Sequence, residues 1–192
     1  MLDFRALRAI YNKKYVILHD MNFLESLKQL KAFARQDGAI LALVWIVAFL
    51  FTMRLPQSMT GNLLTLSTPF VVAWRLRAFR NNALDGEISY RRALAYSWHT
   101  FVYASLIFAL AQYLYIRFYD PESLITMMRD SIHSFSAAYQ QMGMNETQMQ
   151  ESVKLLGTLQ PIELVFLFFT QNIFIGLFLS LIIAAFGMKH RR

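Results

Sequence analysis

Long stretches without a charged residue constrain this 192-residue chain more than any other feature of its sequence. They cover residues 38–53, 55–74, 93–116 and 164–188. A helix needs about 20 mostly apolar residues to cross the hydrocarbon core of a bilayer. The last two stretches meet that length outright, and the first meets it if its helix continues back through Phe33, with Arg35 reaching the headgroups. The sequence therefore predicts an integral membrane protein.

The second stretch is long enough to cross but carries several polar residues and a proline: Asn62, Thr65, Ser67, Thr68 and Pro69. Pro69 removes a backbone donor and predicts a kink, which neighbouring helices can accommodate inside a membrane. With this span included, the predicted fold is all-α. It is an integral membrane four-helix bundle with an N-terminal amphipathic helix and an extramembrane helical hairpin between spans three and four.

The predicted organisation is a single membrane domain that covers residues 1–192. Its segments are a cytoplasmic amphipathic segment at 1–36, span one at 37–54, span two at 58–75, a basic cytoplasmic loop at 76–92, span three at 93–117, an outer helical hairpin at 118–162, span four at 163–188 and a cytoplasmic tail at 189–192. Within the first segment, Phe23, Leu27, Leu30 and Ala34 share one helical face, which predicts a helix at the inner membrane surface. Residues 1–20 are either an extension ahead of a natural start at Met21 or a basic arm on the membrane surface.

Composition and charge agree with a membrane location. The chain is 56% hydrophobic and 16% charged, whereas soluble domains are about 25% charged. The absence of cysteine excludes disulfide scaffolds, thiolate zinc sites and thiol catalysis. Fifteen Lys and Arg residues fall on the predicted side of both termini and four on the other, which predicts a cytoplasmic location for both ends. The net charge of +7 is then mainly a topology signal, and we expect no nucleic-acid partner.

The outer hairpin is predicted from helix boundary signals. Asp120, followed by Pro121, is a typical helix start, and this first arm should run to about Gln141 and stop at Gly143. A second arm should begin at Asn145 and reach about Leu159. We expect the hairpin to pack on the outer membrane interface.

The densest polar stretch lies between spans two and three, where Asp85-Gly86 predicts a turn. Basic and aromatic side chains at a membrane surface suit anionic lipid headgroups or a protein partner. The alternative is ordinary positive-inside charge with no ligand. The candidate partner-binding or anionic-lipid-binding residues are Arg75, Arg77, Arg80, Asp85, Tyr90, Arg91 and Arg92.

Four polar residues are predicted inside the spans: His99, Gln112, Gln171 and Asn172. His99 lies near the inner interface, which favours a hydrogen-bonded interfacial histidine over a proton relay. The three amides are expected at similar depth, where they join helices or, alternatively, form a substrate site. Span four carries a series of small residues that allow close helix packing: Gly176, Ser180 and Ala184. We expect them to pack against other helices of this protein rather than against the helix of a partner.

No catalytic, metal-binding or cofactor-binding motif is present: the sequence lacks GxSxG, HExxH, a Walker loop and GxGxxG. Ser97 and His99 point to different helical faces, so they do not form a nucleophile–base pair. We therefore expect no catalytic residues, no metal and no cofactor.

The order and content of several motifs resemble a bacterial membrane family, the domain of unknown function DUF4199. They are Arg77-Ala-Phe-Arg80, the turn Leu84-Asp85-Gly86-Glu-Ile-Ser89-Tyr90, Phe118-Tyr-Asp120-Pro121 and Thr158-Leu-Gln-Pro161. The resemblance covers about Met21 to Lys189 and implies a four-span inner-membrane protein without catalytic residues. Members of the family are associated with lipid-linked glycosyltransferases, and the resemblance therefore suggests a partner for this protein rather than an activity.

The leading interpretation is a non-enzymatic accessory or anchoring subunit in the bacterial inner membrane. It would contact membrane lipid and a protein partner at the cytoplasmic face. One alternative is a small permease or channel-like carrier formed by a homo-oligomer. The other is a lipid-modifying membrane enzyme that uses His99, Tyr90 and Asp85.

Overall fold

The computed structural model describes residues 4–55, 58–120, 122, 125–126, 129–130, 141, 143 and 145–189. Within these residues the named elements are all helical. They are α1 (Phe4–Arg54), α2 (Thr60–Leu66), α3 (Thr68–Ala83), α4 (Tyr90–Leu114), a π-helical turn (Tyr115–Tyr119), α5 (Glu146–Gly157) and α6 (Pro161–Gly187).

Three helical segments in the described part of the chain are long and apolar enough to cross a membrane. They are Leu24–Arg54, Tyr90–Tyr119 and Pro161–Gly187. The helices expected for the first, third and fourth uncharged stretches are therefore present.

The first helix is longer than the sequence predicted. α1 runs unbroken over 51 residues, so the boundary placed between residues 36 and 37 is not marked by any break. At 1.5 Å per residue such a helix is about 77 Å long. Leu30, Ala34 and Leu41 are buried along one face of α1, which joins the predicted amphipathic segment and the predicted span into one continuous packing surface.

The second predicted span is divided into α2 and α3 at Ser67, two residues before Pro69, although the backbone of Ser67 is itself helical. The interruption lies at Ser67, whose hydroxyl donates to the Leu64 carbonyl oxygen at 2.6 Å. Pro69 follows in the first turn of α3, where its missing N–H is tolerated because first-turn amides have no helical partner. Trp45 of α1 donates its ring N–H to the Thr68 hydroxyl at 2.9 Å and so ties the interruption to α1.

Contacts at the two ends set the direction of the helices. The Arg54 guanidinium lies 4.6 Å from the ring centre of Tyr119, so the C-terminal end of α1 lies beside the C-terminal end of the helical segment formed by α4 and the π-helical turn. Ile88 and Lys189 pair as an isolated antiparallel bridge, so α4 begins where α6 ends. We call this second end the basic end, because the five arginines of the α3–α4 region are there: Arg75, Arg77, Arg80, Arg91 and Arg92.

α4 packs between α1 and α6 and contacts both. Two glycines permit this close approach. A Cβ atom added to Gly38 would lie 2.7 Å from the Tyr103 Cβ and 2.9 Å from the Thr100 carbonyl oxygen. A Cβ atom on Gly176 would lie 2.7 Å from the Phe101 side chain. Each glycine therefore brings one neighbouring helix against α4.

Capping residues explain where several helices begin. Ser89 accepts a hydrogen bond from the Arg92 amide at the start of α4, and the Asp85-Gly86 turn expected just before it is present. Gln160 and Glu163 form a capping box at the start of α6. Asn145 accepts a hydrogen bond from the Thr147 amide at the start of α5.

Part of the predicted outer hairpin lies outside the described residues. Its second arm is present as α5, which ends at Gly157. Most of the first arm, which the sequence placed between Asp120 and Gln141, lies outside them, as do residues 190–192 of the predicted tail.

Replacing Gly38 with alanine should destabilise the protein, because backbone atoms of α4 occupy the space that the new methyl group needs. Overpacking of this kind costs about 1–3 kcal/mol. The measurement is thermal unfolding of the detergent-purified protein. Gly157→Ala is the matched control, because its added Cβ would meet only a side-chain atom at 3.9 Å. Equal unfolding temperatures for the two variants would contradict the close approach.

Candidate functional site

A buried ion pair joins α1 to α3 near the basic end. The Asp37 side chain is 1% exposed, and its Oδ1 lies 2.5 Å from Nη2 of Arg75. Nε of Arg75 donates to the same oxygen at 2.6 Å. A carboxylate removed from water is costly unless it is paired and hydrogen-bonded, so this pair determines how the two helices pack.

Tyr96 of α4 completes the coordination of the carboxylate, since its hydroxyl donates to the second oxygen of Asp37, Oδ2. The Phe79 ring of α3 stacks on the Tyr96 ring, with 4.6 Å between centroids and 4° between planes. Both rings are fully buried. We call these four residues (Asp37, Arg75, Phe79 and Tyr96) the Asp37 junction; it connects three helices at one point.

Sequence reasoning missed Asp37 and Tyr96 as site residues and assigned Arg75 to a ligand instead. A signal for the ion pair was available. Asp37 directly precedes the first uncharged stretch and Arg75 directly follows the second, so a helical hairpin brings the two charges to the same end. Tyr96 had no comparable signal, because it is one of several aromatic residues in an apolar helix.

Two other predicted ligand-binding arginines also have partners within the protein. Nη1 of Arg80 donates to the Gly187 carbonyl oxygen at 3.1 Å, at the end of α6. Nη2 of Arg92 donates to Gln29 of α1 at 3.3 Å, and the Arg92 guanidinium lies 5.9 Å from the ring centre of Phe79. Both arginines therefore hold the basic end together.

The remaining predicted residues of this region face outward or are half-buried. Arg77 and Arg91 are exposed, and Asp85 is exposed in the turn with a φ of 52°. Tyr90 is half-buried at the start of α4. Of the five arginines that the sequence predicted as ligand-binding, only Arg77 and Arg91 are exposed.

A pocket of about 710 Å³ beside this surface is not suited to an anion. Its lining contains one arginine, Arg92, and three acidic residues, Glu25, Asp85 and Glu87. Acidic groups repel an anionic headgroup at short range. An anionic ligand would therefore approach Arg77 or Arg91 rather than enter this pocket.

His99 forms a hydrogen bond within its own helix. Its Nδ1 lies 2.7 Å from the Ala95 carbonyl oxygen, and a carbonyl only accepts, so the ring donates from Nδ1. The ring is half-buried next to Trp98 and Tyr103. No contact in the described part of the chain joins His99 to Tyr90 or Asp85, the residues expected with it in an enzyme site.

The predicted intramembrane amides separate into two groups. Gln112 and Asn172 line one cavity of about 430 Å³ between the helices, whereas Gln171 is exposed and is not part of its lining.

The small residues of span four lie inside the protein. Gly176, Ser180 and Ala184 are buried, and the Ser180 hydroxyl donates to the Gly176 carbonyl oxygen at 2.6 Å.

Among the residues that the structure describes, no group of three His, Cys, Asp or Glu side chains is placed to hold a metal ion. The Asp37 junction itself consists of an ion pair, a phenol and a stacked ring.

Replacing Asp37 with leucine should cost about 3–5 kcal/mol of unfolding free energy, because it leaves the Arg75 charge without its partner. The double variant Asp37→Leu/Arg75→Leu should lose less than the sum of the two single variants, since no unpaired charge remains. Chemical denaturation in detergent measures all three. Asp85→Asn, which removes an exposed carboxylate, should be close to neutral, and additive losses in the double variant would exclude a coupled pair.

Comparison with known proteins gives one match and two negative results. A family model described as "Protein of unknown function (DUF4199)" matches residues 36–189, which include every residue of the Asp37 junction. No curated protein and no solved structure matches the chain. The match covers most of the sequence, and the chain therefore belongs to the DUF4199 family of proteins of unknown function.

Proposed function

We propose that this protein is a non-enzymatic accessory or anchoring subunit that holds a membrane-associated protein partner at its basic end. The observation that carries the proposal is the contrast among the five arginines there. Arg75, Arg80 and Arg92 are bound within the protein, while Arg77 and Arg91 are exposed on the surface that these contacts hold in place. A fixed surface loses little conformational freedom when a partner binds.

The exterior of α6 supports the membrane part of the proposal. Several large apolar side chains project from this helix with more than half of their surface exposed: Phe166, Phe174, Phe178, Ile182 and Phe186. Soluble proteins rarely expose apolar patches of this extent. Contact with lipid chains accounts for this surface.

We further propose that α2 and α3 together form a fourth crossing. Their uncharged part, residues 60–74, reaches about 22 Å at 1.5 Å per residue, and a bilayer accommodates a segment shorter than its roughly 30 Å hydrocarbon core by thinning locally. The distribution of Lys and Arg then puts both termini and the basic end in the cytoplasm of a bacterial inner-membrane protein. The resemblance described above suggests a lipid-linked glycosyltransferase as the class of partner.

The proposed orientation can be tested directly because the chain contains no cysteine. Asn82→Cys places a single thiol at the basic end, and Gln150→Cys places one on α5; both positions are exposed. A membrane-impermeant maleimide added to intact spheroplasts should label Gln150→Cys, and should label Asn82→Cys only after lysis. Labelling of Asn82→Cys before lysis would reverse the proposed orientation.

The docking role predicts that Arg77→Gln/Arg91→Gln loses its partner while the protein still inserts and folds. Quantitative mass spectrometry after crosslinking in native membranes should show at least a fivefold drop in the crosslinked partner protein. The matched control is Arg117→Gln/Lys154→Gln, which removes two exposed cations elsewhere and should leave recovery unchanged. Equal recovery from both double variants, or no partner from the parent protein, would overturn the docking role.

A further inference from the structure

The cavity of about 430 Å³ lies between α1, the α2–α3 interruption, α4 and α6. Its depth is that of the spans, because the lining residues of α1, α4 and α6 all fall within the three segments that are long and apolar enough to cross a membrane. α2 packs mainly against α1, which leaves this space beside the interruption. The volume is within the range of small-molecule sites in proteins, about 300–1,000 Å³.

The walls of the cavity are mainly hydrocarbon. The Trp45 and Phe108 rings are in contact, with 5.6 Å between their centres, and the Phe49 ring lies 5.8 Å from Phe108. α6 contributes Phe168 and Leu179. Among the described residues that line the cavity, none is Lys, Arg, His, Asp or Glu. Walls of this kind offer dispersion contacts to a hydrocarbon and no counter-charge to an ion.

Most of the polar side chains in the lining are hydrogen-bonded within the protein. The Trp45 ring N–H donates to the Thr68 hydroxyl at 2.9 Å. The hydroxyl groups of Thr52 and Thr65 each donate to a backbone carbonyl oxygen of their own helix at 3.0 Å. A cavity that offers few free polar groups holds water poorly. An apolar occupant therefore suits the cavity better than water.

The cavity opens onto the exterior of the spans. Leu66 at the end of α2 and Ile175 in the middle of α6 both line it, and their side chains are 67% and 47% exposed. At this depth of a bilayer the surrounding medium is the hydrocarbon of lipid chains. Since an unfilled apolar cavity costs stability that increases with its volume, a chain that enters from this medium is favoured over an empty space.

We infer that the cavity is a lipid-binding site that takes one acyl chain of a membrane phospholipid, which enters between α2 and α6. The lining residues of α1 are in its C-terminal part and reach Met53, next to Arg54, so the chain belongs to the leaflet at the end opposite the basic end. This inference rests on the membrane location proposed above and not on the docking role, because the cavity shares no residue with the exposed arginines of the basic end.

The test uses the full-length protein in phosphatidylcholine vesicles that contain a phosphatidylcholine with a diazirine near the end of one acyl chain. After illumination, peptide mass spectrometry should find label on the cavity rings of Trp45, Phe49 or Phe108 as well as on Phe178, which is exposed on the exterior of α6. Label on Phe178 without label in the cavity would overturn the inference and leave the membrane location standing. Absence of label at both places would overturn the inference together with the membrane location.

A variant pair at the opening tests the route of entry. Ile175→Trp places a larger side chain at the opening and should reduce cavity labelling at least about fivefold, with labelling of Phe178 unchanged. Phe174→Trp is the matched control, because it alters the adjacent exposed residue, which does not line the cavity, and should change neither. Cavity labelling in Ile175→Trp equal to that of the parent protein would overturn the inference.

Replacing Asn172 separates an acyl chain from a ligand that is held by a hydrogen bond. The Asn172 amide lines the cavity, and Asn172→Leu removes it while keeping a side chain of similar size. Cavity labelling should stay within about twofold of the parent value, because apolar contacts hold the chain. Loss of labelling in this variant would overturn the inference. If Ile175→Trp fails to fold, this variant and the labelling of the parent protein still decide the inference.

Discussion

The burial of one carboxylate constrains the rest of this structure. Asp37 is almost fully enclosed, and neither a membrane nor a protein interior solvates a carboxylate as water does. Its charge is balanced by Arg75 and its second oxygen accepts from Tyr96, so α3 and α4 must both reach the same point on α1. A buried pair of this kind does not by itself make a protein more stable, but it disfavours every packing that separates the partners.

This constraint explains why the basic end has a defined surface. With α1, α3 and α4 fixed together, Arg92 reaches Gln29 on α1, and Arg80 reaches the last turn of α6. Positive charge that looks like one ligand-binding cluster in the sequence is therefore divided in the structure. Arg75, Arg80 and Arg92 bind groups on other helices, whereas Arg77 and Arg91 face outward.

The sequence predicted the fold better than the site. Uncharged stretches indicate spans because the cost of burying charge is a local property of the chain. The interruption at Ser67 lies in the turn before Pro69, where the missing proline N–H leaves the Thr65 carbonyl oxygen without its usual helical partner, so the proline already indicated this position in the sequence. The positions of Asp37 and Arg75 at the ends of two uncharged stretches indicated their pairing, but the contact of Asp37 with Tyr96, 59 residues away, depends on packing that composition and periodicity do not encode.

The most direct test of this account is a distance measurement between α1 and α3. Spin labels on Lys28→Cys and Asn82→Cys, two exposed positions of a chain without native cysteine, report how the two helices are held. Pulsed electron paramagnetic resonance should give one narrow distance distribution in the parent protein and a broad one after Asp37→Asn. A distribution that stays narrow in the Asp37→Asn variant would contradict the claim that the buried carboxylate holds the basic end in place.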